Sequence, residues 1–374
     1  MDARAEAILT LSAIGENQKA VAAADAALLI NPKAGDIQRW KGRAYENMSR
    51  WPEAFAAYDA AVRLSPKSAL AVWDRGSMHE KLGRAKEALA DYSQAIVLDP
   101  TLADAYQYRG NLLLAQNQPD AAYADLSKAV ELSPKSARYR NSRAALLMKF
   151  GKNEEANSDL YEAIKLDPQF ADAYSNLAII AYRTKNYPTS ALARTMELRA
   201  NPNSQAALFW RAKAYGEIDK TDDAIADYTA LLKLNPDYLW AYNNRGQLLL
   251  NKNDCDGAMR DFDVVTRRMP GLGGAWVGGA ICAARQPDNG AAFWSANQDR
   301  WQAAPATTDK YLAMAYFSAS LQRFDAAILM ANKAKAISPN DPGVKDILEA
   351  LAKHDEAEVD GLFNALDDLA DPEN

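Results

Sequence analysis

Few residues of this chain have side chains that are suited to chemistry. Among its 374 residues there are only two histidines and two cysteines. His79 and His354 each lack a neighbouring histidine or cysteine, so the sequence offers no obvious ligand set for a metal and no histidine-based triad. We interpret His79 as a packed core residue, and we predict neither a catalytic residue nor a metal site.

The glycine-rich run at 271–274 resembles a phosphate-binding loop only superficially. The third glycine of a dinucleotide-binding fingerprint would fall on Trp276, and no predicted strand precedes the run. Neighbouring carboxylates such as Asp222 and Asp223 are typical of helix starts, where they face the positive end of the helix dipole. We therefore predict that the chain is not an enzyme and binds no cofactor.

Composition and charge argue against two further kinds of function. The net charge is −6 and the isoelectric point is about 5.2, so there is no overall basic surface that could neutralise phosphates. No uninterrupted apolar run approaches the roughly 20 residues that cross a bilayer. The sequence predicts neither nucleic-acid binding nor membrane insertion.

The dominant pattern in the sequence is a repeat marked by proline. Eight prolines stand exactly 34 residues apart, and two more continue the series after one inserted residue. They are Pro32, Pro66, Pro100, Pro134, Pro168, Pro202, Pro236, Pro270, Pro305 and Pro339. Because proline disfavours the helical conformation of the residue before it, each one ends a helix and precedes the next. Ten units fill residues 1–341, and 342–374 form a tail with a different pattern.

Small and large residues recur at fixed places within the unit. Glycine or alanine occupies the eighth, twentieth and twenty-seventh places, and a large side chain occupies the twenty-fourth, which indicates two closely packed antiparallel helices. The eighth place reads Gly42, Gly76, Gly110, Ala144, Ala178, Ala212, Gly246 and Ala280, and the twenty-fourth reads Tyr58, Tyr92, Leu126, Leu160, Tyr228 and Phe262. Gly15, Gly83 and Gly151 mark the turn between the two helices, because glycine favours helix termination.

A 34-residue helix–turn–helix unit with this code and a closing proline resembles the tetratricopeptide repeat (TPR) family, over about nine-tenths of the chain. The resemblance implies an all-α fold, a right-handed superhelical solenoid of about ten repeats with a C-terminal capping helix. It also implies that a protein or peptide partner binds in a concave groove lined by the first helix of each repeat.

Arginine at the seventh place and aspartate at the twenty-third occur together in five repeats and are both absent from three others. The arginines are Arg75, Arg109, Arg143, Arg211 and Arg245, and the aspartates are Asp91, Asp125, Asp159, Asp227 and Asp261. This joint occurrence predicts an Arg–carboxylate pair, either between the two helices of one unit or between neighbouring units. We interpret these ten residues as part of the scaffold.

Two repeats depart from the pattern. In the sixth, Ser190 and Glu197 replace alanines, and Pro188 stands near the start of the second helix. The ninth begins with several glycines, each of which costs about 1 kcal/mol relative to alanine inside a helix. Both stretches are candidates for weak points or bends in the array. In the ninth repeat the alternative is that glycine allows a neighbouring residue to pack closely.

The tail predicts a cap for the last repeat. One apolar stripe comprises Val344, Ile347, Leu348 and Leu351, and a second comprises Val359, Leu362, Phe363 and Leu366. A terminal repeat needs a cover for its apolar face, which the first of these helices would supply. The acidic segment that follows either contributes to the cap or extends away from it.

The two cysteines, Cys255 and Cys282, fall at the same edge of adjacent predicted repeats. Two interpretations stay open: a disulfide, which would favour a periplasmic or secreted protein, and two unrelated buried thiols, which are equally compatible with the cytoplasm. Because residue 1 coincides with the start of a repeat, a signal peptide or an upstream domain is also an open alternative. The alanine-rich helices have a bacterial character.

Candidate groove residues follow from the resemblance, which places ligand contacts at the second, fifth, sixth, ninth and twelfth places of each repeat. Aromatic side chains there give contact area and amides bond a peptide backbone. The candidates are Arg39, Arg43, Trp73, Tyr108, Asn111, Asn141, Tyr182, Phe209, Lys213, Trp240, Asn243 and Gln247. Over all of these places, which also hold acids such as Glu46, Glu80 and Asp104, the charges alternate in sign, and the set of Lys and Asn residues with which some family members clamp a chaperone's C-terminal carboxylate is missing.

The sequence therefore favours an adaptor or scaffold that holds a protein segment in its groove. Two alternatives remain at this point. One is a structural subunit that forms homo-oligomers through its terminal repeats or its tail, and the other is the regulatory part of a longer enzyme.

Overall fold

In the computed structural model, residues 3–286, 303–320 and 323–353 are described, and every regular element in these ranges is an α-helix. Contacts between Cα atoms divide the chain into two units. Unit 1 is Met1–Ile180 and unit 2 is Ala181–Asn374. The boundary falls inside one helix, and each unit is described separately below.

The helices follow one another in pairs that match the predicted repeats. In repeats two to six the first helix has 13 residues and the second has 14. The helices are α1 (Ala3–Ala13), α2 (Asn17–Ile30), α3 (Gly35–Asn47), α4 (Trp51–Leu64), α5 (Ala69–Lys81), α6 (Ala85–Leu98), α7 (Ala103–Ala115), α8 (Pro119–Leu132), α9 (Ala137–Lys149), α10 (Asn153–Leu166), α11 (Ala171–Arg183), α12 (Tyr187–Ala200), α13 (Gln205–Gly216), α14 (Thr221–Leu234), α15 (Leu239–Asn251), α16 (Cys255–Arg268), α17 (Gly273–Arg285), α18 (Thr308–Ser320), α19 (Phe324–Ile337) and α20 (Pro342–Lys353). The second half of the ninth repeat, His354 and the acidic segment lie outside the described residues.

The turn between paired helices has the same backbone conformation in the first eight repeats. The fifteenth place has a positive φ in every one of them, between 57° and 81°. Glycine stands there in three repeats, as predicted from the sequence, and Ser49, Asn117, Lys185, Asp219 and Asn253 adopt the same left-handed conformation. The repeat thus imposes on ordinary residues a conformation that glycine adopts without steric cost.

The small and large places of the code meet within each helix pair. A Cβ added to Gly42 would come within 2.7 Å of the Tyr58 ring, and one added to Gly110 would come within 2.9 Å of Leu126. Tyr58 and Leu126 are both almost fully buried. The large side chain of the second helix therefore fills the space that the missing side chain of the first helix leaves, which is the packing that the code predicted.

The Arg–Asp pairs join the two helices of one unit. In all five pairs the arginine Nε and Nη2 atoms donate to the two carboxylate oxygens at 2.6–2.8 Å. In four of them Nη1 also donates to the second helix of the preceding unit, for example from Arg109 to Ser93 at 3.2 Å and from Arg245 to Thr229 at 2.9 Å. Each of these guanidinium groups therefore fixes three helices in register.

In the two irregular repeats, the helices that the structure describes, α11, α12 and α17, are continuous. Pro188 lies in the first turn of α12, where a missing N–H is tolerated, so it does not break the helix. Glu197 is buried and pairs with the buried Arg194 at 2.6 Å. In the ninth repeat, a Cβ on Gly278 would lie 2.5 Å from the ring of Phe262. The glycine that was a candidate weak point therefore admits a close neighbour.

The end of unit 2 is covered by α20. Val344, Ile347 and Leu351 of the predicted stripe are at most 1% exposed, and they belong to one apolar cluster with residues of α16 to α19. Cys255 and Cys282 are buried in the same cluster, and no disulfide joins them. The structure therefore shows two buried free thiols instead of a disulfide. A disulfide can no longer be used as an argument for a periplasmic location.

Candidate partner-binding surface

The first helices of unit 1 lie side by side, since α1 contacts α3, α3 contacts α5, and α7 contacts α9. We call the side of unit 1 formed by the outer faces of these helices the first-helix surface. Of the twelve predicted groove residues, six belong to unit 2 and four of the six in unit 1 contact a residue of a neighbouring repeat.

Residues at the fifth place of one repeat contact the sixth place of the next at four consecutive junctions of unit 1. Arg39 Nη1 donates to Asp74 Oδ2 at 2.9 Å, and the rings of Trp73 and Tyr108 meet edge to face with centroids 5.5 Å apart. Gln107 donates to Ser142 at 2.9 Å, and Asn176 donates to Asn141 at 2.8 Å. These side chains use much of their polar and aromatic surface to join neighbouring repeats.

The Arg39–Asp74 pair is the most enclosed of the four junctions. The two side chains are 10% and 13% exposed, and the Arg39 guanidinium stacks on the Trp40 ring at 3.9 Å from its centroid. Burial raises the pKa of Asp74 to about 6, and the charge and hydrogen bond of Arg39 oppose that rise. Arg39 was predicted to contact a ligand, but here it is a buried junction residue.

Side chains at the ninth place form the accessible row of the first-helix surface. In repeats two to six they are Arg43, Ser77, Asn111, Ala145 and Ile179, of which Arg43 and Ala145 are exposed and the others half-buried. Within the described residues Asn111 makes no hydrogen bond and Arg43 makes no ion pair. The row runs from a cation through two polar groups to two apolar side chains.

A cleft of about 320 Å³ opens between α1 and α3 at one end of this row. It is lined by Ile8, Leu9, Ser12, Ala13, Trp40, Arg43 and Asn47. Asn47 donates to Ser12 at 3.0 Å and to Asn17 at 3.1 Å, so the polar edge of the cleft is held by hydrogen bonds. Two of the lining residues, Trp40 at the sixth place and Arg43 at the ninth, stand at places predicted to contact a ligand.

In unit 2 the aromatic candidates form a packed cluster. Phe209 is only 5% exposed, and its ring contacts those of Tyr228 and Tyr238 at centroid distances of 5.8 and 5.3 Å. It is a core residue, which corrects its assignment to an open groove. Tyr182 meets Trp210 edge to face at 5.2 Å, and Lys213 Nζ lies 5.3 Å from the Trp210 ring centroid.

The remaining candidates of unit 2 lie on α15 and are half-buried. Trp240 packs against the same cluster as Phe209, and Asn243 donates to Asn244 at 3.3 Å. Asn244 in turn donates to the hydroxyl of Tyr228 at 3.2 Å. Gln247 is at the ninth place and is half-buried. The candidates on α15 therefore also take part in contacts within unit 2.

The prediction missed the cleft residues that α1 contributes, and Asn47 of α3. Leu9 and Ser12 stand at the ninth and twelfth places of the first repeat, so the rule that selected the other candidates also selects them once it is applied to α1. Asn47, at the thirteenth place, falls outside the rule. Its role depends on a hydrogen bond across 35 residues, which no local pattern reports.

Two findings concern other kinds of site. Within the described ranges, no group of three or more His, Cys, Asp or Glu side chains is placed to hold a metal ion. Among the helices that the structure describes, none is both long enough and apolar enough to cross a membrane. His79 packs edge to face on Phe55 at 4.9 Å, and burial lowers its pKa.

Family models match most of the repeat array. Two models described as tetratricopeptide repeat match this chain, one at residues 41–112 and the other at residues 6–69, 109–163, 143–204 and 211–272. The chain belongs to the tetratricopeptide repeat family. Proteins of this family generally mediate protein–protein interactions, and they are typically not enzymes.

Solved structures of other repeat proteins have a similar fold. The C-terminal part of a TPR repeat-containing protein from Cytophaga hutchinsonii is 15% identical, with a TM-score of 0.51, and the match covers 73% of this chain and 98% of that one. PilF of Pseudomonas aeruginosa is 18% identical, with a TM-score of 0.50 and coverage of 56% and 95%. PilW, a type IV pilus biogenesis factor, is 20% identical, with a TM-score of 0.50 and coverage of 55% and 94%. No curated protein sequence matches the chain significantly.

Proposed function

We propose that this protein is a non-catalytic adaptor that binds a segment of a protein partner along the first-helix surface of unit 1. The observation that carries the proposal is the accessible row at the ninth place. The fifth and sixth places join the repeats to one another, whereas Arg43 and Asn111 keep hydrogen-bonding groups that no described residue occupies.

The chemistry of the row suits a peptide segment. The Asn111 amide can donate to and accept from a peptide backbone, which gives affinity with little dependence on sequence. Ala145 and Ile179, farther along the row, offer apolar contact. The half-buried rings of Trp73 and Tyr108 stand on the first helices of the third and fourth repeats, and such rings contribute contact area at low entropic cost.

A pulldown from native lysate followed by mass spectrometry tests this proposal. The wild type is compared with Asn111→Ala combined with Ala145→Glu, two changes on the accessible row that remove no packed side chain. Trp73→Ala and Phe209→Ala are unsuitable for this test because each truncates a packed aromatic ring. A loss of capture by either variant could then result from unfolding instead of from loss of the binding surface. A matched control, Lys67→Glu, changes charge in an exposed turn.

We expect partners that the wild type and the Lys67→Glu control capture and that the row variant loses, with circular dichroism showing equal helix content in all three proteins. Equal capture by the row variant would contradict the proposal and would move the binding surface to the second helices or the turns.

Self-association is a second candidate function, which one observation favours. On α2, in the first repeat, two large apolar side chains that are consecutive in the sequence, Leu29 and Ile30, are 86% and 64% exposed. Light scattering over a range of concentrations tests it. A mass that rises with concentration in the wild type but not in a Leu29→Glu variant would support a homo-oligomer, and a constant monomer mass would contradict it.

A further inference from the structure

We infer that the cleft between α1 and α3 receives one apolar side chain of the partner and that Arg43 binds a carboxylate on the adjacent residue of the same partner. The inference rests on the proposed function, because it assigns the chemistry of the partner segment where it reaches the end of the ninth-place row.

The shape of the cleft fits a single side chain. Ile8 forms a fully buried floor, and Leu9, Ala13 and Trp40 form walls that are half-buried or exposed. A volume of about 320 Å³ lies at the lower limit of the range for ligand pockets, roughly 300–1,000 Å³. The cleft is therefore of the right size for an aliphatic or aromatic side chain and too small for a nucleotide-sized cofactor.

The charge at the rim of the cleft has no ion-pair partner among the described residues. Arg43 is nevertheless close enough to Asp74 to counteract part of the rise that burial causes in the pKa of that carboxyl. Arg43 is exposed, and no carboxylate of the described residues lies within 4 Å of its guanidinium. Two acids, Asp74 on α5 and Glu46 on the same helix as Arg43, already have hydrogen-bonded partners. Asp74 accepts a hydrogen bond from Arg39, and Glu46 accepts from Tyr58 and pairs with Lys81.

The other polar side chains at the rim of the cleft already form hydrogen bonds with residues of α1, α2 and α3. Asn47 and Ser12 are hydrogen-bonded to each other and to Asn17, so they hold α1, α2 and α3 together instead of offering a second strong site. Arg43 is thus the group left to recognise charge, and it is adjacent to the apolar walls. The complementary ligand has a carboxylate next to an apolar side chain, and an arginine–carboxylate pair supplies two parallel hydrogen bonds.

The local nature of this charge matters because the chain as a whole carries a net charge of −6. At long range a negatively charged chain repels an acidic partner. The expected recognition is therefore a contact within one cleft and not a general affinity for anions. A basic neighbour in place of the carboxylate should be rejected at this position.

The test uses a peptide of defined sequence and a reporter inside the cleft. The probe is N-acetyl-Gly-Ser-Phe-Asp-Gly-Ser-amide, titrated into the full chain while the indole N–H of Trp40 is followed by NMR, with the signal assigned from Trp40→Phe. We expect a saturable shift. Replacing the aspartate of the peptide by asparagine, or Arg43→Gln in the protein, should each weaken binding about tenfold, the loss of one charge-assisted contact.

Two further variants make the result decisive. Ala13→Trp fills the exposed wall of the cleft without a change of charge and should abolish the shift, whereas Lys67→Gln removes a positive charge elsewhere and should leave it unchanged. Equal binding of the aspartate and asparagine peptides, or no shift up to the solubility limit of the peptide, would overturn the inference.

The outcome can be separated from that of the proposed function. In one outcome the Asn111→Ala, Ala145→Glu variant loses its partners, the separate Arg43→Gln variant retains them, and the peptide does not bind. The adaptor function then stands and the cleft inference fails. If the peptide binds in the cleft but the row variant captures every partner, the cleft is a site and the row is not.

Discussion

At the scale of single residues, the turns show how a repeat overrides local preference. The fifteenth place is left-handed in eight repeats, and the sequence analysis recognised it at Gly15, Gly83 and Gly151; asparagine and aspartate also tolerate this conformation, whereas Ser49 and Lys185 carry no such signal. Lys185 holds this conformation because the helices on both sides are fixed by packing. The steric cost for an ordinary residue is on the order of 1–2 kcal/mol.

Gly83→Ala tests this account. Open space surrounds the position of the new Cβ, so the only cost is the left-handed backbone, and we expect the free energy of unfolding to fall by about 1 kcal/mol. Gly271→Ala is the matched control, since its Cβ also meets open space but its φ is not in the left-handed region. Denaturant unfolding should show no loss for the control, and an equal loss in both variants would contradict the account.

Asp74 gives a prediction that depends on pH. Its folded pKa of about 6 is higher than the value of about 4 expected in the unfolded chain, so between these values the folded state holds a proton that the unfolded state releases. The stability of the wild type relative to Asp74→Asn should therefore fall by about 2–3 kcal/mol as the pH rises from 4 to 6, and then stay level. Unfolding of both proteins at each pH measures this difference; a difference that grew with pH would show the opposite sign.

The residue scale is also where sequence-based site prediction was least successful. The place rule selected Arg39 and Phe209, which are buried, because a helix position specifies a face but not whether the next repeat covers it. It also selected Arg43, which is exposed, and Asn111, which is half-buried. Whether any of them contacts a partner stays a prediction.

At the scale of elements, the Arg–Asp pairs set the register of the helix pairs. Their joint occurrence could be recognised in the sequence, but the choice between pairing within a unit and between units could not. The structure shows both at once, since Nε and Nη2 stay within the unit while Nη1 of Arg75, Arg109, Arg211 and Arg245 reaches the preceding one.

Arg109→Ala measures the strength of this link. The change leaves the carboxylate of Asp125 buried without its partner, so we expect a loss of about 3 kcal/mol in the free energy of unfolding. Arg63→Ala removes an exposed arginine from its pair with Asp59 and should cost less than about 0.5 kcal/mol. In the double variant Arg109→Ala, Asp125→Ala the loss should be smaller than the sum of the single losses, and strict additivity would contradict a direct pair.

The ninth repeat depends on a ring held between two glycines. Phe262 lies against Gly246 of α15 on one side and Gly278 of α17 on the other, so it cannot move away from a new methyl group. Gly278→Ala should therefore destabilise unit 2 by about 1–2 kcal/mol, although alanine is the better helix former. In a Phe262→Leu background the same change should become neutral or stabilising, and an unchanged penalty there would exclude the ring as its cause.

At the scale of the whole molecule, the repeat period determined most of what could be predicted. Ten closing prolines and the small/large code predict the number, length and pairing of the helices, and α1 to α16 follow that frame closely. The contacts between repeats were harder to predict because they join residues 35 positions apart, such as Arg39 with Asp74 and Asn141 with Asn176. They depend on how each unit stacks on the next, which composition at one place does not specify.

Site-specific photo-crosslinking tests the central claim, that a partner segment lies on the first-helix surface of unit 1, most directly. A photoreactive phenylalanine analogue replaces Asn111 on the accessible row or, as a control, Glu131 on the second helix α8, and crosslinked products are identified in native lysate. The account predicts that the Asn111 position crosslinks to the partner captured by the wild type and that the Glu131 position does not. Crosslinking from Glu131 alone, with none from Asn111, would place the partner on the opposite helices and contradict the account.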